Sequence, residues 1–115
     1  MTVTIYHNPH CSKSRQTREL LRGKGLDPEI IEYLKNPPGK SEMIGILALL
    51  GMGPRDLMRK KEAEYKANGL DAPGLSDEQL LDALIEHPVL IERPIVLANG
   101  KAAVGRPPEN VLEIL

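Results

Sequence analysis

The stretch Ile5-Tyr6-His7-Asn8-Pro9-His10-Cys11-Ser12-Lys13-Ser14-Arg15 decides the reading of this chain, because it runs an apolar strand through a turn and directly into a helix. It also carries the only cysteine among the 115 residues. The start of a helix has N–H groups with no intrahelical partner and the positive end of the macrodipole. A sulfur placed there is held as thiolate more readily than a free cysteine would be. Ser12, Lys13, Ser14 and Arg15 add hydroxyl donors and positive charge around it. Cys11 is therefore expected to be a reactive nucleophile. A cysteine serving only to fill the core would sit on the apolar face of an element, whereas this one lies between Pro9 and a polar run.

Working outward, residues 2–7 alternate as a strand with Val3 and Ile5 on one face. Thr17, Leu20 and Leu21 recur at helical spacing over 12–24, and Gly23 and Gly25 end that helix. Ile30, Ile31 and Tyr33 mark a second strand within 28–34, closed by Pro37-Pro38-Gly39. Strand, helix, strand predicts a right-handed parallel crossover. Ser41 is placed to cap a helix whose Met43, Ile44, Ile46, Leu47, Leu49 and Leu50 make a broad apolar face, expected to be the most buried helix. Pro54 suits the first turn of a further helical segment over 55–68, with Leu57 and Met58 inward. Ser76-Asp77-Glu78-Gln79 has the spacing of a capping box and opens a helix that stops at His87-Pro88.

Residues 91–98 form a near-continuous apolar run, predicting a strand buried on both faces. Asn99-Gly100 is a hairpin signal leading to a short strand over 101–104, and Val111, Leu112, Ile114 and Leu115 close the chain as an amphipathic helix. The fold class is α/β: a four-stranded mixed sheet flanked by helices, with a helical insertion between strands 2 and 3. The whole chain, 1–115, is expected to be one domain.

A net charge of −1 and a sequence pI near 6.3 give no global attraction to nucleic acid or to anionic membrane, so neither is an expected partner. The opening residues lack the basic region and apolar core of a signal peptide, and no apolar run approaches membrane-spanning length, which points to the cytoplasm. With one cysteine an internal disulfide is impossible, so redox chemistry at Cys11 needs a second thiol from another molecule. Three tyrosines with neither tryptophan nor phenylalanine predict an aliphatic core. His10 and Cys11 lie together but His87 is remote in sequence, and no paired-ligand spacing predicts a metal site.

His7-Asn8-Pro9 with Cys11 and Ser14-Arg15, then Leu57-Met58-Arg59-Lys60, Arg93-Pro94-Ile95-Val96 and Gly105-Arg106-Pro107 together resemble the glutaredoxin-coupled arsenate reductases, the ArsC family. The resemblance spans essentially the whole chain with the motifs in the family's order. It implies a thioredoxin-like fold, a cis bond at Arg93-Pro94 with Pro94 beside the active cysteine, and Cys11 as the nucleophile that attacks arsenic. It implies further that Arg59, Arg93 and Arg106 hold the oxyanion, and that His7 and Ser14 help keep the sulfur ionised. Arg15 is the nearby cation best placed to assist. Arginine suits the task because a tetrahedral oxyanion is best held by fixed forks of paired donors. No cofactor is bound in this scheme. Glutathione is a co-substrate, arsenate leaves as arsenite, and glutaredoxin clears the mixed disulfide.

Between Cys11 and Ser14 this chain has Ser12-Lys13 where the plasmid-type enzymes have glycine and threonine. It stops at Leu115 without their C-terminal extension and so resembles a shorter branch of the family. Two other functions fit the same resemblance. One is glutathione-linked thiol transfer without arsenate turnover. The other is binding to RNA polymerase in the manner of the Spx regulators, although their second switch cysteine is here Ser14.

Overall fold

The computed structural model describes residues 2–115. The chain divides into two compact units, one formed by Met1–Asn36 with Arg93–Leu115 and the other by Pro37–Glu92.

The first unit contains the sheet. Strands β1 (Val3–His7), β2 (Glu29–Glu32), β3 (Ile95–Ala98) and β4 (Lys101–Val104) stand in the order β2-β1-β3-β4. β1 pairs parallel with β2, in a register that sets His7 against Glu32, and antiparallel with β3, with Tyr6 opposite Ile95. Helix α1 (Ser12–Gly23) makes the crossover between β1 and β2. This is the mixed four-stranded sheet that the order of elements predicts. Its alternation sends Val3 and Ile5 to one face, where they meet Leu21 of α1, Val96 and Ala98 of β3, and Val111 and Ile114 near the C-terminus. Each fully buried side chain of this size contributes roughly 1.5–3 kcal/mol. The β3–β4 turn forms at Asn99 and Gly100, with φ of 55° and 71°, the left-handed pair that a tight hairpin requires. The closing segment is a 3₁₀ helix, Pro108–Ile114, and its three-residue repeat puts Val111 and Ile114 on the same side while leaving Leu112 exposed.

The second unit is the helical insertion. Helix α2 (Lys40–Leu50) starts one residue before Ser41, with Gly39 as its N-cap. It is not the most buried helix. Six apolar residues spread over too wide an arc for one contact face, so Met43, Ile46 and Leu47 are buried while Ile44 and Leu49 stay 52% and 47% exposed. The continuous helix expected over 55–68 is instead a 3₁₀ turn at Pro54–Leu57, a bridge at Met58 followed by a turn that Glu62 N–H closes on Arg59 O, and the short helix α3 (Ala63–Ala67). The break occurs because Met58 bridges Ile91, with Arg59 N–H donating to Leu90 O and Glu92 N–H to Leu57 O. The same pairing removes 91–94 from the predicted strand, and Pro94 has no N–H to offer a ladder. Helix α4 (Asp77–Glu86) has the capping box read from sequence: Gln79 N–H donates to Ser76 Oγ, and Ser76 N–H to Gln79 Oε1.

All three tyrosines are buried, so the core is not purely aliphatic. Among the described residues no helix is long and apolar enough to cross a membrane.

Candidate active site

Cys11 occupies the N-cap of α1, in extended conformation. The turn that brings it there is held by Cys11 N–H donating to Asn8 O at 3.0 Å and by His10 N–H donating to Asn8 Oδ1 at 3.0 Å. Cys11 is only 8% exposed. Burial pushes its thiol pKa up, but the backbone N–H of Ser14, Arg93 by hydrogen bond and by charge, and the N–H of Lys13 outweigh it and hold the thiol below its ordinary value. The cause is the one expected of a helix start: the amides that an N-cap oxygen normally satisfies face a sulfur instead.

Behind the sulfur lies a buried polar knot. Ser14 Oγ and His7 Nδ1 share a hydrogen bond of 2.7 Å, and Asn8 N–H donates to Ser14 Oγ at 3.0 Å. Burial, then the charge of Arg18 and more weakly that of Arg15, lowers the His7 pKa against an opposing pull from Glu32. The imidazole is thus neutral near pH 7, and it touches the thiol's environment through α1. The Ser14 hydroxyl is committed to this knot, so it is the backbone of Ser14 that acts on the sulfur. Arg15 donates from Nη1 to Pro9 O at 2.9 Å and braces the turn.

The loop before β3 and the loop after β4 bring two arginines to the same thiol. Arg106 Nε donates to Arg93 O at 2.7 Å, and Arg106 Nη2 lies 3.5 Å from Cys11 Sγ. Arg93 reaches the sulfur from its own side. Both arginines precede a cis proline, at Arg93-Pro94 and Arg106-Pro107. Gly105 permits the close approach of these loops: its N–H donates to Pro94 O at 2.8 Å, and a Cβ at this position would stand 2.8 Å from Pro94 Cγ and 2.5 Å from Thr17 Oγ1. A thiol held as thiolate beside two guanidiniums can bind a tetrahedral oxyanion and attack its central atom. The ArsC family model matches residues 6–114.

The chain belongs to the ArsC family. It is 52% identical to the uncharacterized protein YfgD of Escherichia coli K12, over 98% of this chain and 96% of that one. It is 51% identical to an arsenate reductase of Haemophilus influenzae over the full length of both. The solved structure of an arsenate reductase from Vibrio cholerae superposes with a TM-score of 0.97 at 52% identity, covering 100% of this chain and 98% of that one. The sheet and its helices are accordingly those of a thioredoxin-like ArsC protein.

Of the ArsC motif residues, Cys11, His7, Ser14, Arg15, Arg93, Pro94 and Arg106 all fall in the first unit and gather around the β1–α1 turn. Arg59 belongs to the second unit, where its guanidinium faces Glu62 at 3.5 Å and Glu92 at 4.0 Å. Sequence reasoning missed Tyr33. Its hydroxyl, 1% of the residue being exposed, faces Asn8 and Arg93, and burial pushes its pKa up to about 12. The available signal was the parallel crossover, which puts the carboxyl ends of β1 and β2 at one edge of the sheet, so that the residue following Glu32 lies beside the residue following His7. Among the described residues no three His, Cys, Asp or Glu side chains are grouped to hold a metal ion.

Proposed function

We propose that this protein is an arsenate reductase that uses glutathione and glutaredoxin. The observation that carries the reading is Arg106 Nη2 at 3.5 Å from Cys11 Sγ with Arg93 on the same sulfur, a nucleophile and its anion donors in one place. Arsenate is held by Arg93 and Arg106, and by Arg59 as the family resemblance implies. The Cys11 thiolate attacks arsenic and forms an S–As bond as water leaves. The sulfur of glutathione then joins the Cys11 sulfur. The two electrons released pass to arsenic, which goes from As(V) to As(III) and departs as arsenite. Cys11 remains as a mixed disulfide with glutathione, and a glutaredoxin thiol takes the glutathionyl group and frees it. A single cysteine suits this external resolution and a reducing, cytoplasmic setting.

The test is a coupled assay with arsenate, glutathione, glutaredoxin and NADPH-driven glutathione recycling, on the wild type and Cys11→Ser side by side. Turnover that disappears with the cysteine supports the reading. Absence of turnover in the wild type overturns it in favour of thiol transfer.

A further inference from the structure

Among the described residues Tyr33 is the largest fully buried side chain, and its hydroxyl has no hydrogen-bond partner. A buried hydroxyl left unbonded destabilises the fold that carries it, so it calls for a reason. The hydroxyl faces Asn8 and Arg93 without reaching bonding geometry with either. Strand pairing explains the placement. Tyr33 and Asn8 each follow one member of the parallel pair Glu32 and His7. Arg93 stands two positions before Ile95, whose antiparallel partner Tyr6 stands two positions before Asn8. With β1 between β2 and β3, Tyr33 and Arg93 approach from strands about 10 Å apart, two strand spacings, and meet over Asn8. Both neighbours organise the site. Asn8 accepts the Cys11 N–H on its carbonyl and the His10 N–H on Oδ1, and so shapes the turn that carries the sulfur. The Arg93 carbonyl holds Arg106 Nε, and the Arg93 guanidinium acts on Cys11. The hydroxyl stands where the nucleophile's turn meets the two arginines.

We propose that Tyr33 is a positioning residue for oxyanion binding: as a tetrahedral oxyanion draws Arg93 into place, the Tyr33 oxygen accepts an N–H of that guanidinium while its O–H donates to Asn8 Oδ1. This role rests on the reading that Arg93 and Arg106 hold the oxyanion. The donor and acceptor inventory allows this arrangement. A guanidinium only donates, so it bonds the phenol oxygen and leaves the phenol proton for another acceptor. Asn8 Oδ1 has two lone pairs and takes one N–H, that of His10. Burial pushes the Tyr33 pKa up to about 12, so the hydroxyl keeps the proton it donates. At 1% exposure Tyr33 is too enclosed to meet the anion itself and acts through Arg93. A bond absent from the free protein and made only in the bound one adds to anion affinity.

The test is Tyr33→Phe, which keeps the ring and removes the hydroxyl. Inorganic phosphate and arsenate are each titrated against the rate at which iodoacetamide alkylates Cys11, followed by intact-protein mass. Both anions are expected to slow alkylation of the wild type, and the half-protecting concentration is expected to rise about tenfold in the variant. Without anion, the alkylation midpoint in pH should match that of the wild type and the urea midpoint should not fall, because the hydroxyl bonds nothing in that state. Equal protection of the two proteins overturns the role, as does a wild type that neither anion protects. A displaced alkylation midpoint, or weaker protection together with a fallen urea midpoint, also overturns it, the first by placing the hydroxyl on the thiol and the second by reducing Tyr33 to packing. If protection weakens as expected while arsenate is not turned over, the role stands and only the arsenate reading is lost. If arsenate is turned over while both proteins are protected equally, the role alone is lost.

Discussion

Arg106 lies with Nη2 3.5 Å from the sulfur of Cys11 while its Nε is held by the carbonyl of Arg93 at 2.7 Å. Nε and Nη2 lie on one edge of the guanidinium, so that single edge bonds the carbonyl and meets the sulfur, although 95 positions separate Arg106 from Cys11 in the chain. A fork held this way meets an anion without first losing the rotamer freedom of a long side chain.

Arg106→Ala is therefore expected to weaken binding of arsenate, or of phosphate as its competitor, by roughly 1.5–3 kcal/mol, the range for hydrogen bonds to a charged group. Arg106→Lys keeps the charge but cannot bond the Arg93 carbonyl and present paired donors together, so it should fall between wild type and alanine. Titration calorimetry with each anion reads the effect. Wild-type affinity in the alanine variant would remove Arg106 from the anion site.

Arg93 acts on the thiol by hydrogen bond and charge, both favouring thiolate. In Arg93→Met the Cys11 pKa should rise and alkylation by iodoacetamide at neutral pH should slow. The rate measured against pH must show its midpoint displaced upward. A midpoint that stays in place would mean that the backbone amides of Ser14 and Lys13 alone hold the sulfur.

Ser14→Ala separates backbone from side chain. The N–H that faces the sulfur survives the substitution, so the alkylation midpoint should stay close to that of the wild type. Stability should nevertheless drop by about 1–3 kcal/mol, because His7 Nδ1 and Asn8 N–H lose their buried partner. Urea unfolding measures the loss, and an upward shift of the midpoint as large as that in Arg93→Met would refute the division.

His7 has a folded-state pKa below its ordinary 6.5, mainly through burial. The unfolded chain therefore binds a proton that the native state refuses. The stability contributed by neutral His7 is complete above pH 6.5 and is lost as the pH falls from there toward the lower folded value. Unfolding midpoints recorded across that window should decline in the wild type and decline less in His7→Asn. Equal slopes would show that another group governs the acid limb.

The helix start at Cys11, the Ser76–Gln79 box and the Asn99-Gly100 hairpin were legible in the sequence because each depends on neighbours a few residues apart. A cap, a capping box and a positive-φ turn are solved locally, whatever the rest of the chain does. The expected helix over 55–68 and strand over 91–94 failed for the opposite reason. Across the Met58–Ile91 bridge, Arg59 N–H bonds Leu90 O and Glu92 N–H bonds Leu57 O, a pairing that no local period announces. Exposure of Ile44 and Leu49 likewise depends on which part of a broad apolar arc finds a partner.

By itself the sequence determined a strand, turn and helix with a single cysteine at the junction, and so excluded a disulfide within the given chain. Only the tertiary structure decided that Arg106 and Arg93 reach that sulfur, that the Ser14 hydroxyl turns to His7, and that Tyr33 faces Asn8 and Arg93. The physical reason is one of range. Caps and turns are encoded by contacts within a few residues, whereas these side chains meet only after the sheet has closed long loops and aligned the ends of β1, β2 and β3.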